Sequence, residues 1–323
     1  MTNTKRILLI DEPYPLLVQQ LQQAGLSLLF RYHHTREEVL ADVPGCTGVI
    51  VRSRLQIDQA FLAQAPDLTF VARIGVGTEH IDLEACAAQG VAVYTSPEGS
   101  RDTVGEHALG MLLMLLNRLA VADREVRHGQ WIREANRGVE IKGKTVGIIG
   151  YGNMGTAFAK RLSGFEAEVI AYDKFKTGYG DAYARAVSLE ELQAQSDIIS
   201  LHIPYLPGNH HFVNRDFIQA CAKNIYLVNT ARGTVLHTAD LVEAMQGGKV
   251  LGAALDVLEY EEMSFSTLDP ATLPKPFQYL RRSERTVLTP HIAGWSHEAK
   301  RGHAAVLAEK ILKHLDAKAY NKV

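Results

Sequence analysis

The sequence predicts an α/β protein of two Rossmann-like or flavodoxin-like domains, each with a parallel sheet, and a ligand cleft between them. Three observations predict it. Short apolar runs alternate with helical stretches along most of the chain, the signature of strands crossed over by helices. A glycine-rich turn joins an apolar run to a helix near the middle. The 323 residues suffice for two domains of ordinary size.

In the first half, strands are expected at residues 6–10, 26–31, 48–51, 69–72 and 91–94, with helices such as 14–24 and 83–89 between them. The turn-rich cluster Ser96-Pro97-Glu98-Gly99-Ser100 marks a boundary, and a long helix follows over about 102–118. The second set of strands is expected at 145–149, 168–172, 198–202, 225–229, 251–256 and 286–289. What remains, 296–318, is one amphipathic helical stretch. A lone helix cannot fold as a domain, so it is expected to pack back on the first. Residues 1–99 with 293–323 then form a substrate-binding domain and residues 100–292 a nucleotide-binding one.

Composition narrows the class. Apolar residues make up 46% and charged ones 22%, a soluble globular balance. A net charge of −2 argues against a nucleic-acid or anionic-membrane partner. Cys46, Cys86 and Cys221 are odd in number and widely spaced. They form neither a disulfide framework nor a Cys-x-x-Cys metal site, and fit the reducing cytoplasm. The N-terminal run closes at Asp11 and Pro13, too short for a signal sequence. Residues 108–116 are apolar but far short of the roughly 20 a membrane span needs, so a helix buried on most sides is expected.

Residues 144–173 organise the chain. An apolar run leads into Gly150-Tyr151-Gly152-Asn153-Met154-Gly155, a helix follows, and a second apolar run ends in Asp173. This is a dinucleotide fingerprint in its required context. Gly150 permits the sharp turn, Gly152 lets a pyrophosphate approach the backbone, and Gly155 lets helix and strand pack closely. The helix start offers unpaired N–H groups and partial positive charge. Asp173 lies 18 residues after Gly155, where a carboxylate accepts from ribose hydroxyls and repels a 2′-phosphate. NAD is therefore expected over NADP, with the adjacent Lys174 acting against that preference.

Three further segments follow apolar strands, where open α/β sheets bind ligands: Asn229-Thr230-Ala231-Arg232-Gly233, Leu255 through Glu261, and Thr289-Pro290-His291-Ile292-Ala293-Gly294. A fourth, Ala72 through Asp82, lies in the other domain. With Leu201-His202-Ile203-Pro204 and the glycine turn, the chain resembles the D-isomer-specific 2-hydroxyacid dehydrogenases over nearly its full length. The resemblance implies an NAD-dependent oxidoreductase and a homodimer formed largely through the NAD domain, with Arg232, Glu261 and His291 catalytic. Glu261 is chosen over Glu259 and Glu262 by its offset of five from Asp256.

Oxidising a 2-hydroxy acid removes a hydride from C2 and a proton from its hydroxyl. A histidine titrates near working pH and suits the proton step. A carboxylate on its other ring nitrogen fixes the tautomer and favours the imidazolium. An arginine fork suits the substrate carboxylate and C2 oxygen.

The resemblance also places His202, Ile203 and Pro204 along the adenosine, Thr230 by the nicotinamide ribose, Asp256 on the nicotinamide amide, and His291 with Gly294 beside the ring. Thr103, near the start of the long helix, either touches the cofactor or serves as a helix-start residue. No metal is expected: His33-His34 and His210-His211 are adjacent pairs, which rarely chelate one ion without further ligands.

For the substrate, Ile74-Gly75-Val76-Gly77 can present backbone N–H groups to a carboxylate, with Arg52, Arg54 and Arg73 adding positive charge. The alternative for Arg73 and Arg54 is an ion pair with Glu79 or Asp58. In relatives acting on 3-phosphoglycerate, arginines at the positions of Arg52 and Arg73 face the phosphorylated substrate. That acid is the first expectation and glyoxylate or hydroxypyruvate reduction the alternative. An NAD-sensing, corepressor-like binding protein is the competing class.

Two departures stand out. The family usually has a proline soon after the catalytic acid and a short loop to the last strand. Here Glu262-Met263-Ser264-Phe265 follows, and a loop is expected through Pro270, Pro274 and Pro276 to Arg282, acting as a lid or lengthening a dimer interface. The chain stops at Val323, so the C-terminal regulatory domain of longer phosphoglycerate dehydrogenases is not expected.

Overall fold

In the computed structural model, which describes residues 5–261 and 273–320 (backbone alone for 318–320), the chain divides into two compact units. One is Met1–Ser100 with Trp295–Val323, the other Arg101–Gly294.

The first unit is built on β1 (Arg6–Leu9), β2 (Ser27–Phe30), β3 (Gly48–Val51), β4 (Phe70–Arg73) and β5 (Ala92–Tyr94). All pair in parallel, in the order β2-β1-β3-β4-β5. This is the flavodoxin-like order, whose direction reverses between β1 and β3. The central strands are apolar on both faces, Ile7, Leu8 and Leu9 in β1 and Val49, Ile50 and Val51 in β3 all being fully buried. They therefore read as continuous runs rather than alternations. Helices start where side chains satisfy free N–H groups: Thr35 makes a capping box with Glu38, and Asp58 and Asp82 accept from Phe61 N and Ala85 N. The C-terminal helix, His297–Tyr320, lays Ala304, Leu307, Ala308, Ile311 and Leu315 against Ile7, Leu9, Leu17 and Phe70.

The second unit carries β6 (Thr145–Ile149), β7 (Glu168–Tyr172), β8 (Arg185–Ala186), β9 (Ile198–Leu201), β10 (Ile225–Asn229), β11 (Val250–Leu255) and β12 (Thr286–Leu288). Their order is β12-β11-β10-β9-β6-β7-β8, again all parallel. This is the doubly wound Rossmann arrangement, with its switch point between β6 and β9. A hydrophobic cluster covers each face, one around Leu227, Val235 and Leu255, the other around Leu112, Ile148 and Phe158.

Three local expectations are corrected. The helix Arg101–Leu116 stops before Asn117, because Arg118 adopts a left-handed φ of 51°, and a second helix runs over Leu119–Arg127. The stretch expected as loop up to Arg282 contains a helix, Lys275–Leu280, with Phe277 and Leu280 buried three residues apart. Pro274 and Pro276 hid it from the sequence, yet they stand where proline is tolerated, at a helix start. The two-residue β8 is too short for any periodicity to reveal. Glu262, Met263, Ser264, Phe265 and Pro270, and with them the proposed lid, lie outside the described residues. Among the described residues no single helix is long and apolar enough to cross a membrane.

Candidate functional site

The glycine turn is tight where sterics demand glycine and open where a ligand needs room. Gly150 follows β6 with a φ of +92°, and a Cβ there would stand 2.7 Å from the His202 carbonyl oxygen across the switch point. A Cβ on Gly155 would meet the Gly150 oxygen at 2.1 Å. At Gly152 nothing lies within 4 Å, and no side chain caps the helix Asn153–Leu162 that begins there. Asn153 is exposed and Met154 half-buried. The first-turn N–H groups thus face a clear approach, which fits a dinucleotide pyrophosphate.

Asp173, one residue past β7, accepts from Tyr151 N at 2.9 Å and Phe175 N at 3.0 Å. The carboxylate is pinned beside the glycine turn and keeps lone pairs for hydroxyl donors. Asp173→Ala is expected to weaken NAD binding about tenfold and relax discrimination against NADP, measured by fluorescence titration with both. An unchanged preference would refute the role of this carboxylate.

Across the switch point, His202 Nε2 bonds Ser200 Oγ at 2.9 Å and its ring lies 5.4 Å from Phe158. Its buried Nδ1 and the buried Thr230 Oγ1 have no hydrogen-bond partner among the described residues, so two polar atoms at these strand ends await one. Pro204 is exposed, and its carbonyl accepts from Asn209. Burial pulls His202 down to about 3, so it stays neutral in the folded chain. Below pH 6.5 the unfolded chain gains a proton there that the folded chain refuses. Stability is expected to fall by about 2 kcal/mol more between pH 7 and pH 5 than in His202→Gln. Urea melts at the two pH values check this; equal slopes would refute it.

Adjacent strands β10, β11 and β12 set the three expected catalytic segments side by side. After β10, Asn229 accepts from Ala231 N and donates to the Arg232 carbonyl, both at 3.0 Å, closing the loop on itself. Arg232 is half-buried and its Nη1 donates to Ala231 O. A Cβ on Gly233 would stand 1.9 Å from Leu258 O, so only glycine lets this loop lie against the backbone that leads to Glu261.

After β12, His291 sits at φ 55°, a left-handed conformation that costs a side-chain-bearing residue about 1–3 kcal/mol. Its N–H donates to Asp256 O at 2.7 Å, and its Nδ1 lies 3.0 Å from Glu261 Oε2. Glu259 instead bonds His211, so it is Glu261 that reaches His291.

Asp256 holds this turn. Its fully buried carboxylate accepts from Thr289 Oγ1 at 2.6 Å, Ile292 N at 2.8 Å and Ala293 N at 2.7 Å, just before Gly294. His107 Nε2 stands 3.5 Å from the same carboxylate, so an incoming amide meets a group already surrounded by donors. Burial pushes Asp256 up, but bonds from His107, Thr289, Ile292 and Ala293 outweigh it and hold the group below the ordinary carboxylate range. Thr289 lies in a segment the sequence marked, but sequence reasoning missed His107, which it bonds at 3.2 Å. The available signal was a lone histidine in the apolar run of the helix. Thr103 lies one turn earlier on that helix.

In the first unit, the switch point between β1 and β3 holds Asp11, which accepts from Arg52 N at 2.6 Å. Arg54 is corrected: its guanidinium binds the carbonyls of Ile10, Arg31 and His34 and approaches Asp11, while Asp58 pairs with Arg36. Gly75 N–H is also corrected, since it donates to Ser96 Oγ at 3.0 Å. Val76 N–H and Gly77 N–H make no hydrogen bond among the described residues. Arg73 donates to Ile74 O, and its guanidinium fills the space a Cβ on Gly75 would need. Burial lowers His303, a bond to Ser96 O opposes this, and the positive charges of Arg73 and Arg52 lower it further. His303, unmarked in the sequence, thus stays neutral beside two cations.

Residues 109–293 match the family described as "D-isomer specific 2-hydroxyacid dehydrogenase, NAD binding domain". The chain is 32% identical to D-3-phosphoglycerate dehydrogenase of Archaeoglobus fulgidus, over 91% of this chain and 54% of that one. It therefore spans about half the length of that relative. It is 33% identical to hydroxypyruvate reductase of Thermotoga maritima, over 88% of this chain and 89% of the other. A solved D-lactate dehydrogenase from Aquifex aeolicus, complexed with NAD and lactic acid, is 27% identical, with 99% and 97% coverage and a TM-score of 0.81.

Proposed function

Because the chain belongs to the NAD-dependent D-isomer-specific 2-hydroxyacid dehydrogenases, we propose that it interconverts a D-2-hydroxy acid and its 2-oxo acid, with 3-phosphoglycerate as the first-choice substrate. The observation that carries this reading is the pair His291 Nδ1 and Glu261 Oε2, 3.0 Å apart at the C-terminal edge of the Rossmann sheet. Bound NAD supplies the hydride acceptor. His291, with Nδ1 turned to Glu261, takes the proton of the C2 hydroxyl on Nε2. Glu261 holds the ring's tautomer and stabilises the imidazolium that results. Arg232 offers its fork of donors to the substrate carboxylate and the C2 oxygen. In reduction Arg232 polarises the keto group and His291 returns the proton.

Arg52, Arg73, Val76 N–H and Gly77 N–H are the anion-binding groups assigned to the substrate on the first unit. Two cations beside the neutral His303 favour a doubly anionic acid. The similarity to a hydroxypyruvate reductase along most of both chains favours the unphosphorylated alternative. An NADH-linked screen decides: 3-phosphohydroxypyruvate is expected to be reduced at least tenfold faster than hydroxypyruvate or glyoxylate. The reverse order makes the chain a hydroxypyruvate or glyoxylate reductase. NADH binding without turnover on any 2-oxo acid makes it a binding protein.

The exposed Leu119, Val126, Trp131 and Ile132 support a homodimer formed through the NAD-binding unit, which light scattering tests. The three unpaired, buried cysteines support a cytoplasmic setting.

A further inference from the structure

On segments flanking the catalytic loops, three imidazoles gather around a carboxylate. His210 and His211 stack with centroids 3.9 Å apart, and His237 lies 4.4 Å from His211. His211 Nε2 is 2.6 Å from Glu259 Oε1. His211, His237 and Glu259 each offer a ligand atom within 4.8 Å of the others. The sequence shows only the adjacent pair His210-His211, which alone is a poor chelator; the fold supplies the missing partners. We propose that His211, His237 and Glu259 form a binding site for a divalent transition metal of the zinc class.

Two imidazoles and a carboxylate are a donor set that zinc accepts, with water in the fourth position. Tetrahedral ligand atoms about 2.0–2.1 Å from zinc stand about 3.4 Å from one another. The close His211–Glu259 pair has to open and the wider spacings contract, shifts that rotamers of partly exposed side chains can supply. The outer layer of a metal site is already in place. His237 Nδ1 lies 2.8 Å from Asp240 Oδ2, which also accepts from Arg215 N at 2.9 Å. This fixes the His237 tautomer with the Nε2 lone pair available, the carboxylate–histidine arrangement that surrounds zinc ligands. The other Glu259 oxygen accepts from Thr238 N at 2.9 Å. The metal takes the place of the hydrogen bond between His211 Nε2 and Glu259 Oε1, the ring proton moving to Nδ1. Glu259 precedes Glu261 by two residues, and His211 N donates to Thr234 O in the segment after Arg232. An ion here ties the two catalytic loops together.

The test is calorimetric titration of chelator-treated full chain with Zn²⁺ alone. Saturable 1:1 binding at micromolar or lower Kd and a raised Tm are expected. His237→Asn should weaken binding at least a hundredfold, and Asp240→Asn about tenfold, with NADH affinity unchanged in both. The second variant leaves all three ligands in place and guards against misfolding of the first. Absence of stoichiometric binding, or wild-type Zn²⁺ affinity in both folded variants, would overturn the proposal. NADH affinity is read separately, so failure here leaves the dehydrogenase reading standing.

Discussion

His291→Asn is expected to lower kcat by about 10²–10⁴-fold, the usual contribution of a positioned acid–base group, while NAD still binds. Asparagine is the informative replacement. His291 sits at φ 55°, and asparagine tolerates the left-handed region far better than most residues. The turn therefore survives while the titrating ring is lost. Alanine would remove the same chemistry but add backbone strain to the result. Glu261→Gln is expected to cost less, because the imidazole remains and loses only its charged partner at 3.0 Å. Steady-state kinetics with an NADH-binding titration measure both effects. Normal turnover with collapsed NAD affinity in His291→Asn would assign this residue to the cofactor and leave the proton step without its group.

Asp256→Ala is expected to destabilise the chain by about 3 kcal/mol and to abolish most turnover, although Asp256 transfers no proton. The substitution leaves Thr289 Oγ1, Ile292 N and Ala293 N without their acceptor. An unsatisfied buried donor costs about 1–3 kcal/mol. The same bonds hold His291 in its left-handed backbone, so loosening them lets the imidazole leave Glu261. Because the folded carboxyl titrates below its ordinary value, its contribution is full above the unfolded value of about 3.9 and is lost as pH falls through the lower folded one. Denaturant melts from pH 7 to pH 3 should show the difference between wild type and variant shrinking only at the acid end. A variant with wild-type stability and turnover would show that the buried carboxylate does not organise the turn.

Much of the local geometry was legible because its signals are local. The glycine turn needs Gly150, Gly152 and Gly155 at fixed spacing, and the structure shows why: two positions are sterically closed and one is open. Glu261 was separable from Glu259 only through the family resemblance, which sets its offset of five from Asp256, and the fold gives Glu259 to His211. Arg54 was indistinguishable from its neighbours as a cation. Its occupation by three main-chain carbonyls depends on where β1 ends and where the chain turns after β2. The helix Lys275–Leu280 was hidden because proline reads as loop unless the helix start is already known.

Taken alone, the sequence determined two parallel α/β sheets, the glycine turn and the strand ends expected to carry chemistry. Each is written in a period, a glycine spacing or an apolar run within about 30 residues. Tertiary structure alone decided which distant groups meet: His107 with Thr289, Arg52 and Arg73 beside His303, and His211 with His237 and Glu259. Such pairings depend on strand order and on backbone angles at single residues such as His291. Both are fixed by the packing of whole sheets and helices, which no short stretch of sequence encodes.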